Sequence, residues 1–139
     1  MFKDIFGLFR PQIPEEAQKQ ANQALDIIKN EPKVKQVRIF GSAANGKWNE
    51  HGSDIDVFVQ IEGRDPDWAA YNQTPEGETP VRKSFRKSVK DVASKVELHI
   101  ATDADIETMK KEGGERCADG FILSDMHKKM LHGRLIYKK

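Results

Sequence analysis

The chain holds a single cysteine, Cys117, among 139 residues. An internal disulfide is therefore excluded, and one thiol suits a reducing compartment. A charge bias is also missing: 23 Lys and Arg stand against 22 Asp and Glu, a formal net charge of +1. Bulk electrostatics thus argue neither for nor against a nucleic-acid partner. No apolar run reaches the length that spans a bilayer, and there are no repeats or low-complexity segments. The N-terminal MFKDIFGLFRP is apolar, yet it carries Asp4 and Arg10 and has no small-residue cleavage site, which argues against a signal peptide. The expectation is a cytoplasmic, single-domain protein with no membrane partner, long enough to bury a proper core.

What is present divides into an arm and a domain. In the arm, residues 1–13, Phe2, Ile5, Phe6 and Phe9 recur at helical spacing. Such a segment suits docking on the core or on a second copy of the chain, giving a homodimer; contact with a membrane surface is the alternative. The domain, residues 14–139, opens on an amphipathic helix from Pro14 to Asn30, with an apolar stripe of Ala17, Ala21, Leu25 and Ile28. Strands are expected over Lys35–Phe40, Ile55–Ile61 and Val96–Ile100 from their alternating patterns. Gly41 to Gly46 reads as a turn and Lys47 to Ser53 as a polar loop. Residues 62–80 form a long, acid-rich loop punctuated by Trp68 and Tyr71, which serve either as anchors or as stacking platforms.

A helix over Val81–Lys95 is expected to bury Val81, Phe85, Val89 and Val92. Arg82, Lys83, Arg86, Lys87 and Lys90 then fall on or beside its outer face. Short helices follow at Asp103–Glu112 and Phe121–His132, and Arg134–Tyr137 is a final strand or a packed tail. The fold class is a mixed α/β (α+β) single domain, a small mixed sheet flanked by helices.

One constellation carries chemistry. The first strand delivers Gly41-Ser42, a turn whose N–H groups and hydroxyl can face an anion. After eleven intervening residues the second strand opens with Asp54-Ile55-Asp56. Side chains two apart on a strand share a face, and their backbones lie about 6.5–7 Å apart. Two like charges at that separation repel by about 2–3 kcal/mol at an effective dielectric near 20. Solvent or a cation must relieve this. The third strand adds Glu97, polar between apolar neighbours. Three carboxylates from neighbouring strands form an oxygen-ligand set suited to Mg²⁺, which also takes substrate phosphates as ligands. Two such ions can clamp both oxygens of an in-line phosphoryl displacement. His99 shares the face of Glu97 and reads as a solvated or hydrogen-bonded histidine. His127 and His132, five apart, suggest no metal site.

The segments IFGSAANG and HGSDIDVFV resemble the signature of the DNA polymerase beta-like nucleotidyltransferase superfamily, in its minimal nucleotidyltransferase branch. The likeness runs from Ala17 to Ile100, and LHGRLIYKK is similar to that domain's usual ending. It implies the nucleotidyltransferase fold and transfer of a nucleoside monophosphate, most often AMP, from an NTP to an acceptor hydroxyl. It further implies that Gly41 and Ser42, with Ser53 beside Asp54, hold the triphosphate. Asp54, Asp56 and Glu97 would be the catalytic and metal-ligating acids, taking Mg²⁺ or Mn²⁺ with ATP as donor. Acceptors in such families include a HEPN-type toxin protein, for which the enzyme is the antitoxin, RNA ends and small molecules. Many relatives read Gly-Ser-Arg-Ala-Arg-Gly, whereas this chain has Ala43 and Asn45. Lys47 and the basic run Arg82–Lys90 are the cations at hand to compensate. A catalytically degenerate nucleotide- or partner-binding module of the same fold is the competing reading.

Overall fold

A computed structural model describes residues 12–49, 51, 53–70, 78–111 and 130–139. Phe2, Ile5, Phe6 and Phe9 of the N-terminal arm, Tyr71, Cys117, and residues 121–129 of the helix expected over Phe121–His132 lie outside that range. Helix α1 (Glu15–Ile28) starts just after Pro14, with Glu15 and Glu16 in its positive first turn. Its Ala17, Ala21, Ala24 and Ile28 are buried, and three alanines on one stripe let the helix lie close to the sheet. Strand β1 (Val34–Phe40) follows, then β2 (Ile55–Ile61), helix α2 (Pro80–Val92), β3 (Val96–Thr102), helix α3 (Asp103–Lys111) and β4 (Arg134–Lys138).

The sheet order is β3-β2-β1-β4. Strand β1 runs antiparallel to both neighbours, while β2 and β3 are parallel, joined by the α2 crossover. One sheet face, with Val37, Ile39, Val57, Val59, Leu98 and Ile100, packs under α1 and α2. The opposite face carries a smaller cluster of Phe40, Phe58, Ala101, Ile106, Met109 and Met130. Strand β2 is therefore buried on both sides, not on one. Even Gln60 is only 8% exposed. Its amide is satisfied by Gln36 and by Asp103 at 2.6 Å, so its burial leaves no polar group unpaired. The Arg134–Tyr137 segment is a strand, not a tail, and Gly133 ahead of it sits where a Cβ would meet the Ile39 carbonyl at 2.6 Å.

Helix α2 differs from the face its apolar spacing suggests. Val81 and Val92 are exposed, whereas Arg82 is buried and Arg86 half-buried. The reason is the free edge of β3. A sheet edge leaves a row of backbone groups without partners. The Arg82 guanidinium donates to the carbonyls of Ile100 and Trp68, both at 2.9 Å, and Arg86 donates to the Leu98 carbonyl. Glu78 accepts from Arg86 at 2.9 and 3.1 Å and from Arg82 at 3.4 Å, so one carboxylate is shared between the two cations. Trp68, also buried, packs edge-on against Phe85 with ring centroids 5.2 Å apart. It is an anchor for the long loop. Thr79 caps α2 by accepting from the Arg82 N–H at 3.3 Å. Trp48 likewise breaks the expected polar loop: it is buried in the main core, and its indole N–H donates to the Ser53 carbonyl at 3.1 Å. Among the described residues no helix is long and apolar enough to cross a membrane.

Arg82→Met keeps the aliphatic stem and deletes the donors. It is expected to cost roughly 2–4 kcal/mol in urea unfolding, because two carbonyls and part of Glu78 lose their partners in a buried setting. A change within about 0.5 kcal/mol, the range of ordinary surface substitutions, contradicts the edge-capping role.

The same cluster sets an acid limit. The hydrogen bonds from Arg86, aided by the charges of both arginines, hold the Glu78 carboxyl below its usual pKa despite burial. Burial opposes the charge on Asp103, yet hydrogen bonds from the Gly63 N–H and Gln60, with Lys35 nearby, lower its pKa as well. Both carboxyls thus titrate lower folded than unfolded. Their stabilising share is complete above the unfolded value of about 4 and is lost as pH falls through the folded values. Glu78→Gln is expected to lower the urea midpoint at pH 7 and to flatten the decline below about pH 4.3. An acid limb identical to the parent's would remove Glu78 from this account.

Candidate active site

Strand β1 ends in Phe40, and the chain turns at Gly41 with φ +74°. That left-handed conformation favours glycine. Here a second constraint coincides with it. A Cβ on Gly41 would stand 2.5 Å from Asp56 Oδ2, inside any allowed contact. The turn and the carboxylate therefore touch, because Phe40 and Asp56 are paired across β1 and β2. The turn itself is closed by Asn45 N–H donating to Gly41 O at 3.2 Å and Lys47 N–H donating to Ser42 O at 2.9 Å. Among the described residues the Ser42 hydroxyl makes no hydrogen bond, and Lys47 is exposed.

Ser53 is a loop brace. Its Oγ accepts from the Asn49 N–H at 3.2 Å, its N–H donates to Asn49 O at 2.9 Å, and its carbonyl holds Trp48. Those bonds deliver Asp54 to the entry of β2, where it is exposed and has no ion-pair partner among the described residues.

The parallel pairing sets Asp56 directly beside Glu97 and Phe58 beside His99. Adjacent strands lie about 4.8 Å apart, so Asp56 and Glu97 share one face and one end of the sheet. Their carboxylates nevertheless diverge. Glu97 Oε2 is 3.3 Å from Lys90 Nζ, drawn toward the sheet edge, and Asp56 Oδ1 is 3.1 Å from His99 Nε2. Among the described residues no three His, Cys, Asp or Glu side chains converge on one metal-sized point. The two aspartates still fit a hard divalent cation. Mg²⁺ is ordinarily held by one or two carboxylates and completed by water and substrate phosphates. Asp54 is open to such an ion, and Asp56 Oδ2 faces the Gly41-Ser42 turn.

The positions of the missing arginines also have a physical explanation. Ala43 is fully buried and belongs to the main core, so a long cation has no room there, while Asn45 is exposed. Of the compensating cations, Arg82 and Arg86 are committed to the β3 edge and Lys90 to Glu97. Lys87 pairs with Asp91, while among the described residues Lys47 and Lys83 form no side-chain pair, and of those two Lys47 belongs to the turn. The contact the sequence concealed is His99 on Asp56. Its signal was weak but present, since His99 alternates onto the face of Glu97.

Gly41→Ala should destabilise the fold by about 1–2 kcal/mol from the left-handed backbone alone, with a further loss from the collision with Asp56. In an Asp56→Ala background the collision disappears, so the cost of Gly41→Ala should fall. Equal costs in both backgrounds, measured by urea unfolding, would show that turn and carboxylate do not press on each other.

Known proteins supply the last line of support. The sequence profile of the nucleotidyltransferase domain matches residues 21–119. No curated protein matches the chain. Among solved structures, a candidate nucleotidyltransferase from Sulfolobus solfataricus is similar at 17% identity, over 68% of this chain and 81% of that one, with a TM-score of 0.41. The profile spans the Gly41-Ser42 turn, both aspartates of β2 and Glu97 on β3, and on that match the chain belongs to the nucleotidyltransferase domain family.

Proposed function

We propose that this protein transfers AMP from ATP to an acceptor hydroxyl with release of pyrophosphate. The observation that carries the reading is the Gly41 turn lying against Asp56 Oδ2. A glycine turn with no side chain between its backbone and a carboxylate supports phosphate binding there, next to an acid suited to a divalent cation. Asp54 and Asp56 would hold a divalent cation, Mg²⁺ or Mn²⁺, which would supply charge neutralisation of the triphosphate. Ser42, with its unengaged hydroxyl, and the exposed Lys47 contact the phosphates.

The acceptor oxygen forms a bond to the α-phosphorus as the bond from that phosphorus to the bridging β-phosphate oxygen breaks. Pyrophosphate carries away the electron pair, and the acceptor proton passes to the Glu97 carboxylate or to water. Glu97 stands next to Asp56 in register and joins the site by exchanging its contact with Lys90. Positioning and charge do most of the work in such a transfer, so no strong nucleophile is required of the protein. The acceptor best suited to a compact domain is another macromolecule that brings its own hydroxyl, such as a HEPN-type toxin in an antitoxin pair, or an RNA end.

A second reading, a partner-binding module without catalysis, is favoured by two observations: Ala43 is core, and Lys90 already pairs with Glu97. Incubation with α-labelled ATP, CTP, GTP or UTP, Mg²⁺ or Mn²⁺, and protein or RNA acceptors separates the two. Metal-dependent labelling, strongest from ATP, is expected, with a loss of about 100-fold or more in Asp54→Asn and Asp56→Asn. No labelling of any acceptor, together with partner neutralisation that survives Asp54→Ala/Asp56→Ala, would establish the binding module instead.

A further inference from the structure

We propose that His99 is the positioning residue of the site. In this role it fixes Asp56 so that Oδ2 alone is presented to a divalent cation. The inference rests on the reading of Asp56 as a metal ligand and extends it to a residue outside that set.

Of the three acids, Asp56 is the one held in place from both sides. Its Oδ1 lies 3.1 Å from His99 Nε2, and its Oδ2 fills the space that a Gly41 side chain would occupy. Asp54, by contrast, is exposed without an ion-pair partner among the described residues, and Glu97 is turned toward Lys90. His99 is itself clamped. Its ring meets Phe40 edge-on, with centroids 4.9 Å apart and planes at 64°, and Phe40 is 5% exposed. Phe40 pairs with Asp56 through the backbone and immediately precedes Gly41. Phe40, His99, Asp56 and Gly41 thus form a closed ring of contacts linking the end of β1, the start of β2 and the middle of β3.

That ring has a chemical consequence. A free aspartate rotates its carboxylate and offers either oxygen. A carboxylate that accepts an N–H on one oxygen has already lost that freedom, and the other oxygen becomes the ligand. The donor must be Nε2–H, since the carboxylate only accepts. Partners of this kind, which orient a ligating carboxylate, change metal affinity by about 10–100-fold when removed.

The test is Mn²⁺ affinity of the full chain, read from the spin-resonance signal of free Mn²⁺, with urea unfolding alongside. Asp56→Asn should abolish the binding. His99→Ala and His99→Phe should weaken it by about 10–100-fold with little change in the unfolding midpoint. His99→Gln, whose amide N–H can take the place of Nε2–H, should recover part of the loss. Nitrogen-resolved NMR of the imidazole should find the proton on Nε2. Mn²⁺ binding in His99→Ala equal to the parent's would overturn the positioning role while leaving Asp56 a ligand. So would a loss that His99→Gln does not relieve, or a neutral ring protonated only on Nδ1. Parent-like binding in Asp56→Asn, or none in the parent, would overturn the metal-site reading and this inference with it.

Discussion

The meeting of Asp56, Glu97 and His99 at the candidate site depends on the parallel pairing of β2 with β3. That register sets Asp56 beside Glu97 and Phe58 beside His99, so three of the groups with chemistry to offer arrive at one end of one sheet face. A slip of β3 by one residue would send Glu97 and His99 to the opposite face, into the core under α1 and α2. The register is held by apolar side chains on that helix side, where Ile55, Val57, Val59 and Ile61 of β2 meet Val96, Leu98 and Ile100 of β3. Phe58 adds a constraint from the other side. Burial on both faces is what makes β2 rigid enough to carry a charged tip.

A parallel pair has a structural cost, because β3 ends the sheet and leaves an edge. The chain covers that edge with charge. Arg82 and Arg86 reach over from α2 to the carbonyls of Ile100 and Leu98, and Glu78 bonds to both guanidinium groups. The arrangement also ties the long 62–80 loop to the sheet, since Arg82 holds the Trp68 carbonyl and Trp68 packs on Phe85. Lys90, one turn beyond Arg86, extends the same basic stripe to Glu97. Fold stabilisation and site electrostatics therefore share one helix. A charge change on α2 reaches both.

Much of this was legible from residues alone, and the rest failed for identifiable reasons. The three strands, α1 and α3 announce themselves through period-2 and period-3.6 patterns with clear stops. The buried face of α2 was not legible. A helix of alternating Val, Arg and Lys normally turns its valines inward, and only the unsatisfied edge of β3 makes inward arginines favourable. Trp48 sits in a polar stretch whose composition gives no sign that its ring completes the main core. The divergence of Glu97 from Asp56 was equally hidden, because it depends on Lys90 lying across the strand edge.

The sequence by itself determined the kind of chemistry. Gly41-Ser42 and Asp54-Ile55-Asp56, each attached to an apolar strand, specify a glycine turn and a pair of carboxylates on one strand face, because local backbone rules place those groups without reference to distant contacts. The tertiary structure decided which partner each carboxylate takes. Asp56 is gripped by His99, forty-three positions away, and pressed against Gly41; Glu97 goes to Lys90; Asp54 stays open to solvent. Such choices arise where strands and helices distant in the chain meet, and sequence spacing carries no record of the distances between them.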